Sequence, residues 1–190
     1  MKRIAPFVLS ISLTLLLASA GRASAQAAHD HAHDHVNDPA RERVGEIASP
    51  LDRLKALAGT WEGTAQHGEQ KFPATVTWRV TGGGSAVTET LFEGTEHEML
   101  TVYTVQDGRL VLTHYCAGGN QPFMKERKGG KGNELVFEFA GGANLDPAKD
   151  SHMHSGLVTF FHDDRIRSEW QSWDGGKPTT KAIFDLTRRK

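Results

Sequence analysis

Ser151-His152-Met153-His154 sets two imidazoles one residue apart. In an extended strand alternate side chains share a face, which puts the pair on one side, about 7 Å apart along the chain. Imidazole nitrogens placed in this way can hold zinc at about 2.0–2.1 Å, given a third ligand from elsewhere. His97 and His114 are the candidates for that third position. His114 heads a second group, His114-Tyr115-Cys116 running into Asn120-Gln121, which adds a thiol and two carboxamides. A His beside Cys116 would supply a base and a nucleophile, and Glu89, Glu98 or Glu169 could move a proton. The chain has no nucleophile elbow, no phosphate-cradling glycine loop and no H-E-x-x-H, so no catalytic motif supports an enzyme.

These residues must be positioned by strands. From residue 60 onward apolar side chains recur with period two: Val76, Trp78 and Val80; Leu135, Phe137 and Phe139; Ile166, Ser168 and Trp170. The spacing predicts strands over 60–66, 72–80, 86–92, 98–106, 109–116, 121–127, 134–140, 153–162, 165–173 and 179–188. Asp107-Gly108 and Asp163-Asp164 are the hairpin turns, the first with the stronger turn chemistry. In 109–116 the more apolar face carries Leu110, Leu112, His114 and Cys116, and that face is taken as the inside. A short helix precedes the strands at 50–57. Ser49 is its cap, Pro50 its first residue, Leu51, Leu54 and Leu57 its apolar face, and Gly59 its end. Ten antiparallel strands in a chain of this size form an up-and-down barrel or a sandwich. A closed barrel has no free sheet edge and can hold one small ligand.

The termini and composition bound the rest. Residues 1–25 have the layout of an export signal: Lys2 and Arg3, an apolar run from Ala5 to Ala20, and Ala23-Ser24-Ala25 as the cleavage site. The expected location is periplasmic or secreted, with no stable membrane insertion once the signal is removed. Residues 26–48 are polar and without apolar period, and are expected to be a disordered arm. They carry His29, His31, His33 and His35 interleaved with acidic residues, a flexible tract with zinc-type ligands. Residues 49–190 form the folded domain. After residue 25 the chain holds 19 Lys and Arg against 23 Asp and Glu, which disfavours nucleic acid as a partner. Cys116 is the only cysteine, so the domain holds together by packing without an internal disulfide.

Leu54-Lys55-Ala56-Leu57-Ala58-Gly59-Thr60-Trp61 is a short apolar helix followed by G-x-W at the start of the first strand. This resembles the calycin superfamily of lipocalins and fatty-acid-binding proteins. Thr113-His114-Tyr115-Cys116 and Gly119-Asn120-Gln121-Pro122 look like secreted bacterial lipocalin-like proteins of uncharacterised activity. The resemblance implies an all-β, antiparallel up-and-down barrel whose strand-one Trp61 lies across the closed end. It also implies that a late Arg, best matched by Arg188, packs over that indole.

Three functions remain open on these residues. In the first, the lumen holds a small, largely apolar molecule oriented by His114, Tyr115, Cys116, Asn120, Gln121, His152 and His154. In the second, the lumen histidines bind zinc, copper or haem. In the third, His and Cys116 catalyse a reaction. All three place His114 and His154 facing the hollow.

Overall fold

The computed structural model describes residues 48–190. The proposed signal segment and the His29, His31, His33 and His35 tract lie outside the described residues. One helix, α1 (Pro50–Lys55), precedes ten strands: β1 (Gly59–His67), β2 (Gln70–Thr81), β3 (Ala86–Leu91), β4 (Met99–Gln106), β5 (Arg109–Tyr115), β6 (Gln121–Glu126), β7 (Glu134–Ala143), β8 (His152–His162), β9 (Arg165–Asp174) and β10 (Lys177–Arg188). Every strand pairs antiparallel with its sequence neighbours, and β1 pairs with β10, so the sheet is a closed up-and-down barrel. Among the described residues no helix is long and apolar enough to cross a membrane.

Local chemistry accounts for the element boundaries. The Ser49 hydroxyl accepts from the Asp52 N–H at 3.2 Å, and Pro50 fills a position whose N–H needs no partner. Gly59 ends the connection at φ 124°, a backbone angle that a side chain would strain. Asp107 and Gly108 have φ 51° and 70°, the paired positive angles of the tight hairpin turn that matches strand twist. The helix is two residues shorter than its apolar pattern, because the Leu57 and Ala58 N–H groups bond the Leu54 and Lys55 carbonyls three residues back, which tightens the last turn.

The apolar stripes meet inside. Trp61, Trp78, Tyr103, Leu112, Met124 and Phe137 are fully buried. Two glycines permit close approach. A Cβ on Gly63 would strike the Asp185 carbonyl of β10. A Cβ on Gly156 would stand 2.5 Å from the Trp170 ring, so β8 yields its side chain to let that indole lie flat against it.

Strand direction assigns the two barrel ends. α1, the turns at 82–85, 107–108 and 163–164, the loop at 127–133 and the C-terminus share one end. That end is sealed by Leu51, Leu54 and Leu57 over Trp61, whose Nε1 donates to the Leu57 carbonyl at 2.7 Å. The Arg188 guanidinium sits 4.4 Å from the Trp61 ring centroid, as the resemblance implies. The same group donates to the Ala58 carbonyl at 2.9 Å and the Ala56 carbonyl at 2.7 Å, and it meets Asp164 at 3.1 Å. One planar fork thus ties β10 to the helix end, to the β8–β9 turn and to the indole. Lysine, with one ammonium, cannot make those contacts together.

Arg188→Ala is therefore expected to cost about 2–4 kcal/mol, from the lost carbonyl caps and the lost cation–π contact. Arg188→Lys should recover less than half of that loss. Urea unfolding of the three proteins checks this; a lysine variant as stable as the parent would contradict it.

Candidate ligand site at the open end of the barrel

The other end carries the loops 92–98, 116–120 and 144–151, with the turns at 68–69 and 175–176. A cavity of about 590 Å³ opens there, lined by Cys116, Asn120, Asn144, His152, Met153 and Ser172 among others. β5 and the 116–120 loop bring Cys116 and Asn120 to the wall. The loop holds itself through the Cys116 N–H to the Asn120 carbonyl (3.1 Å) and the Gly119 N–H to the Cys116 carbonyl (2.9 Å). Asn120 is buried, and its Nδ2 donates to the Ser151 carbonyl at 2.7 Å, which joins two loops across the mouth. Its Oδ1 is buried without a partner. Next to it in the lining, the Ser172 hydroxyl of β9 donates to Met153 Sδ at 3.5 Å.

Below the mouth the interior is occupied by large side chains, with one polar layer among them. Trp78, Glu89, Thr101 and His114 are register partners across β2, β3, β4 and β5, and so form one row on the inner face. All four are buried. The Tyr103 hydroxyl donates to Glu89 Oε2 at 2.7 Å, and the Thr101 hydroxyl meets His114 Nδ1 at 2.9 Å. Burial raises the Glu89 carboxyl to about 7, opposed in part by the Tyr103 hydrogen bond. Burial likewise pushes the His114 imidazole down to about 4, so it is neutral at physiological pH. Tyr103 is held well above the ordinary phenol range by its own burial and by the Glu89 charge. His114 Nε2, Glu89 Oε1 and Trp78 Nε1 have no protein partner.

The structure distributes the sequence-derived candidates over several places. His114 lies inside the barrel and stacks on Trp170 with ring centroids 6.1 Å apart. Cys116 stands just past the end of β5, half-buried, and its sulfur accepts from the Gly118 N–H at 3.4 Å. His114 and Cys116 therefore have separate partners and form no His–Cys pair. Tyr115 is exposed on the outer face. Gln121 accepts from Asn144 Nδ2 at 2.9 Å, bracing the rim. His97 is exposed in the 92–98 loop beside Glu96.

His152 and His154 do come together. The strand is bulged between Met153 and Ser155, and the two rings touch, His152 Nε2 to His154 Nδ1 at 3.0 Å. Met153, the residue between them, is the one that packs on the core. The imidazoles pack instead against Phe139 and Trp173, His154 lying 3.7 Å from the Trp173 ring centroid at an interplanar angle of 12°. Burial and the neighbouring His152 lower the His154 pKa. Among the described residues no three His, Cys, Asp or Glu side chains gather into a metal-binding group. The arrangement in which His97, His114, His152 and His154 converge across the lumen is thus not the one observed.

Sequence reasoning passed over Thr101, Tyr103, Phe139 and Trp173 as members of these clusters. A signal was present for the first two: Thr101 and Tyr103 alternate on the face of β4 that faces inward. Phe139 and Trp173 reach the histidines through the bulge, which leaves no mark in the alternation.

No protein-family model matches the chain, and no curated protein matches it. Solved structures do share its fold. One is a protein of unknown function from the DUF3598 family of Nostoc punctiforme, at TM-score 0.50 and 10% identity, covering 72% of this chain and 49% of that one. This chain thus spans about half the length of that protein. Another is Rv2717c from M. tuberculosis, at TM-score 0.52 and 19% identity, covering 75% of this chain and 99% of that one. The likeness is one of fold alone.

The buried carboxyl has a measurable consequence. A folded pKa near 7 lies above the ordinary value of 4.5, so the folded state keeps a proton that the unfolded chain releases. Stability from this group therefore falls as pH rises through that window and is fully lost above it. Glu89→Gln keeps the shape and cannot ionise. Its stability relative to the parent should rise by about 2–3 kcal/mol between pH 5 and pH 8. Urea unfolding at both pH values reads this, and a pH-independent difference would contradict it.

Proposed function

We propose that the protein is an exported binding protein that takes one small molecule at the open end of its barrel. The carrying observation is the 590 Å³ mouth cavity with Asn120 in its wall, one side of the carboxamide tied to Ser151 and the other without a partner. A volume of that order has room for a drug-sized molecule, and a few placed polar groups in such a wall fix orientation. Asn120 Oδ1 lies sealed just behind this wall, and a ligand that parts the rim reaches it with an N–H or O–H, since that oxygen only accepts. Met153 and the Cys116 thiol offer the apolar contact area. The ligand is thus amphiphilic, seated above the packed interior rather than deep within it.

The lipocalin-like fold supports the reading, since barrels of this type leave one end accessible. Binding rather than catalysis is favoured by the separate partners of His114 and Cys116.

Native mass spectrometry of the full chain, after exposure to a small-molecule extract of its own cells, tests the proposal. One adduct per chain is expected, and Asn120→Leu should weaken it at least about tenfold through the lost hydrogen bond. A parent chain that stays at its bare mass, or a leucine variant that binds as well, would overturn it.

A further inference from the structure

The His152–His154 pair carries an inference of its own. A backbone carbonyl only accepts, so His152 Nδ1, 2.8 Å from the Asp150 oxygen, must be the protonated nitrogen. In the neutral ring Nε2 then holds a lone pair. That lone pair accepts from His154 Nδ1 at 3.0 Å, which leaves His154 Nε2 as a second free lone pair. Carbonyl, imidazole and imidazole form a polarised chain. A ring N–H donating to a carbonyl is also the support that metal-ligating histidines nearly always have.

The spacing fits an ion. Two nitrogens each about 2.0 Å from one metal stand about 2.8 Å apart at a right angle and about 3.3 Å apart at the tetrahedral angle. The observed 3.0 Å lies between these values. The rings are also held before any ion arrives. His154 lies against Trp173, with Phe139 4.8 Å away on a nearly parallel plane, and His152 is buried.

We propose that His152 Nε2 and His154 Nδ1 bind a single Cu²⁺ ion in adjacent equatorial positions, with the remaining positions open to water or to an exogenous ligand. The proton between the rings moves to His154 Nε2, so both imidazoles stay neutral and no net proton is released. Copper is the choice over zinc because a tetragonal ion takes two close nitrogens without needing a closed protein cage. The site borders the mouth cavity, whose wall includes His152, but it rests on different groups: Asn120 serves the mouth reading and is not a ligand here.

The test uses the full chain with His29, His31, His33 and His35 replaced by alanine, which removes the competing tract. Titration with Cu²⁺ should show one ion per chain, with electron paramagnetic resonance showing two equatorial imidazole nitrogens. Adding His154→Ala should weaken binding at least about 100-fold. An arm-substituted chain that binds no Cu²⁺, or an alanine variant with undiminished affinity, would overturn the proposal. Should that variant fail to fold, the Trp173 indole N–H resonance of the arm-substituted chain decides. Bound Cu²⁺ must broaden it, and an unaltered line at one equivalent overturns the assignment.

Discussion

The pairing of β1 with β10 is the constraint on which the molecule depends. These strands are the first and last of the sheet, and their union converts a twisted ribbon with two exposed edges into a barrel with none. Joining them costs the entropy of closing almost the whole domain into a ring, a cost that grows slowly with loop length. The return is a ladder from Trp61–Arg188 to His67–Ala182 and a shared seal of indole, guanidinium and helix carbonyls. Gly63 is required at the seam, because any side chain there would strike the opposing backbone. The seal also closes one end of the barrel.

The barrel interior is not a uniform hydrocarbon. Glu89, Thr101 and His114 lie in one row among Trp78, Tyr103 and Trp170, with Thr101 hydrogen-bonded to His114 and Tyr103 to Glu89. Burying such groups is tolerable because each sheds its charge: the carboxyl is pushed up and the imidazole down. The two act on stability with opposite slopes as pH rises from acid, the neutral imidazole gaining while the carboxyl loses. A packed, polar-layered floor thus lies beneath the loops of the open end.

The barrel could be read from the sequence largely because period two is a local property. Val76 and Trp78, or Leu135 and Phe137, declare their common face without any knowledge of their partners. Asp107-Gly108 declared its turn in the same way. Trp61 and Arg188 were legible for a different reason, a resemblance spanning both termini. The candidate site was less so. The alternation set His152 and His154 on one side about 7 Å apart, and the structure brings their rings into contact within a bulged stretch of β8, an irregularity that nothing in Ser151-His152-Met153-His154 marks. Asn120 was visible as a polar residue in a loop. Its bond to Ser151, across a sequence gap that only the closed sheet bridges, was not.

Closure itself is open to direct measurement by amide hydrogen exchange. In a closed barrel the amides of residues 62–66 point alternately to β2 and to β10, and both sets are hydrogen-bonded. The account predicts slow exchange at every one of these positions, comparable with β4 and β5 in the middle of the chain. Fast exchange at alternate residues of β1, with matching fast positions in β10, would mean a free edge, and the sealed end and the mouth opposite it would both be contradicted.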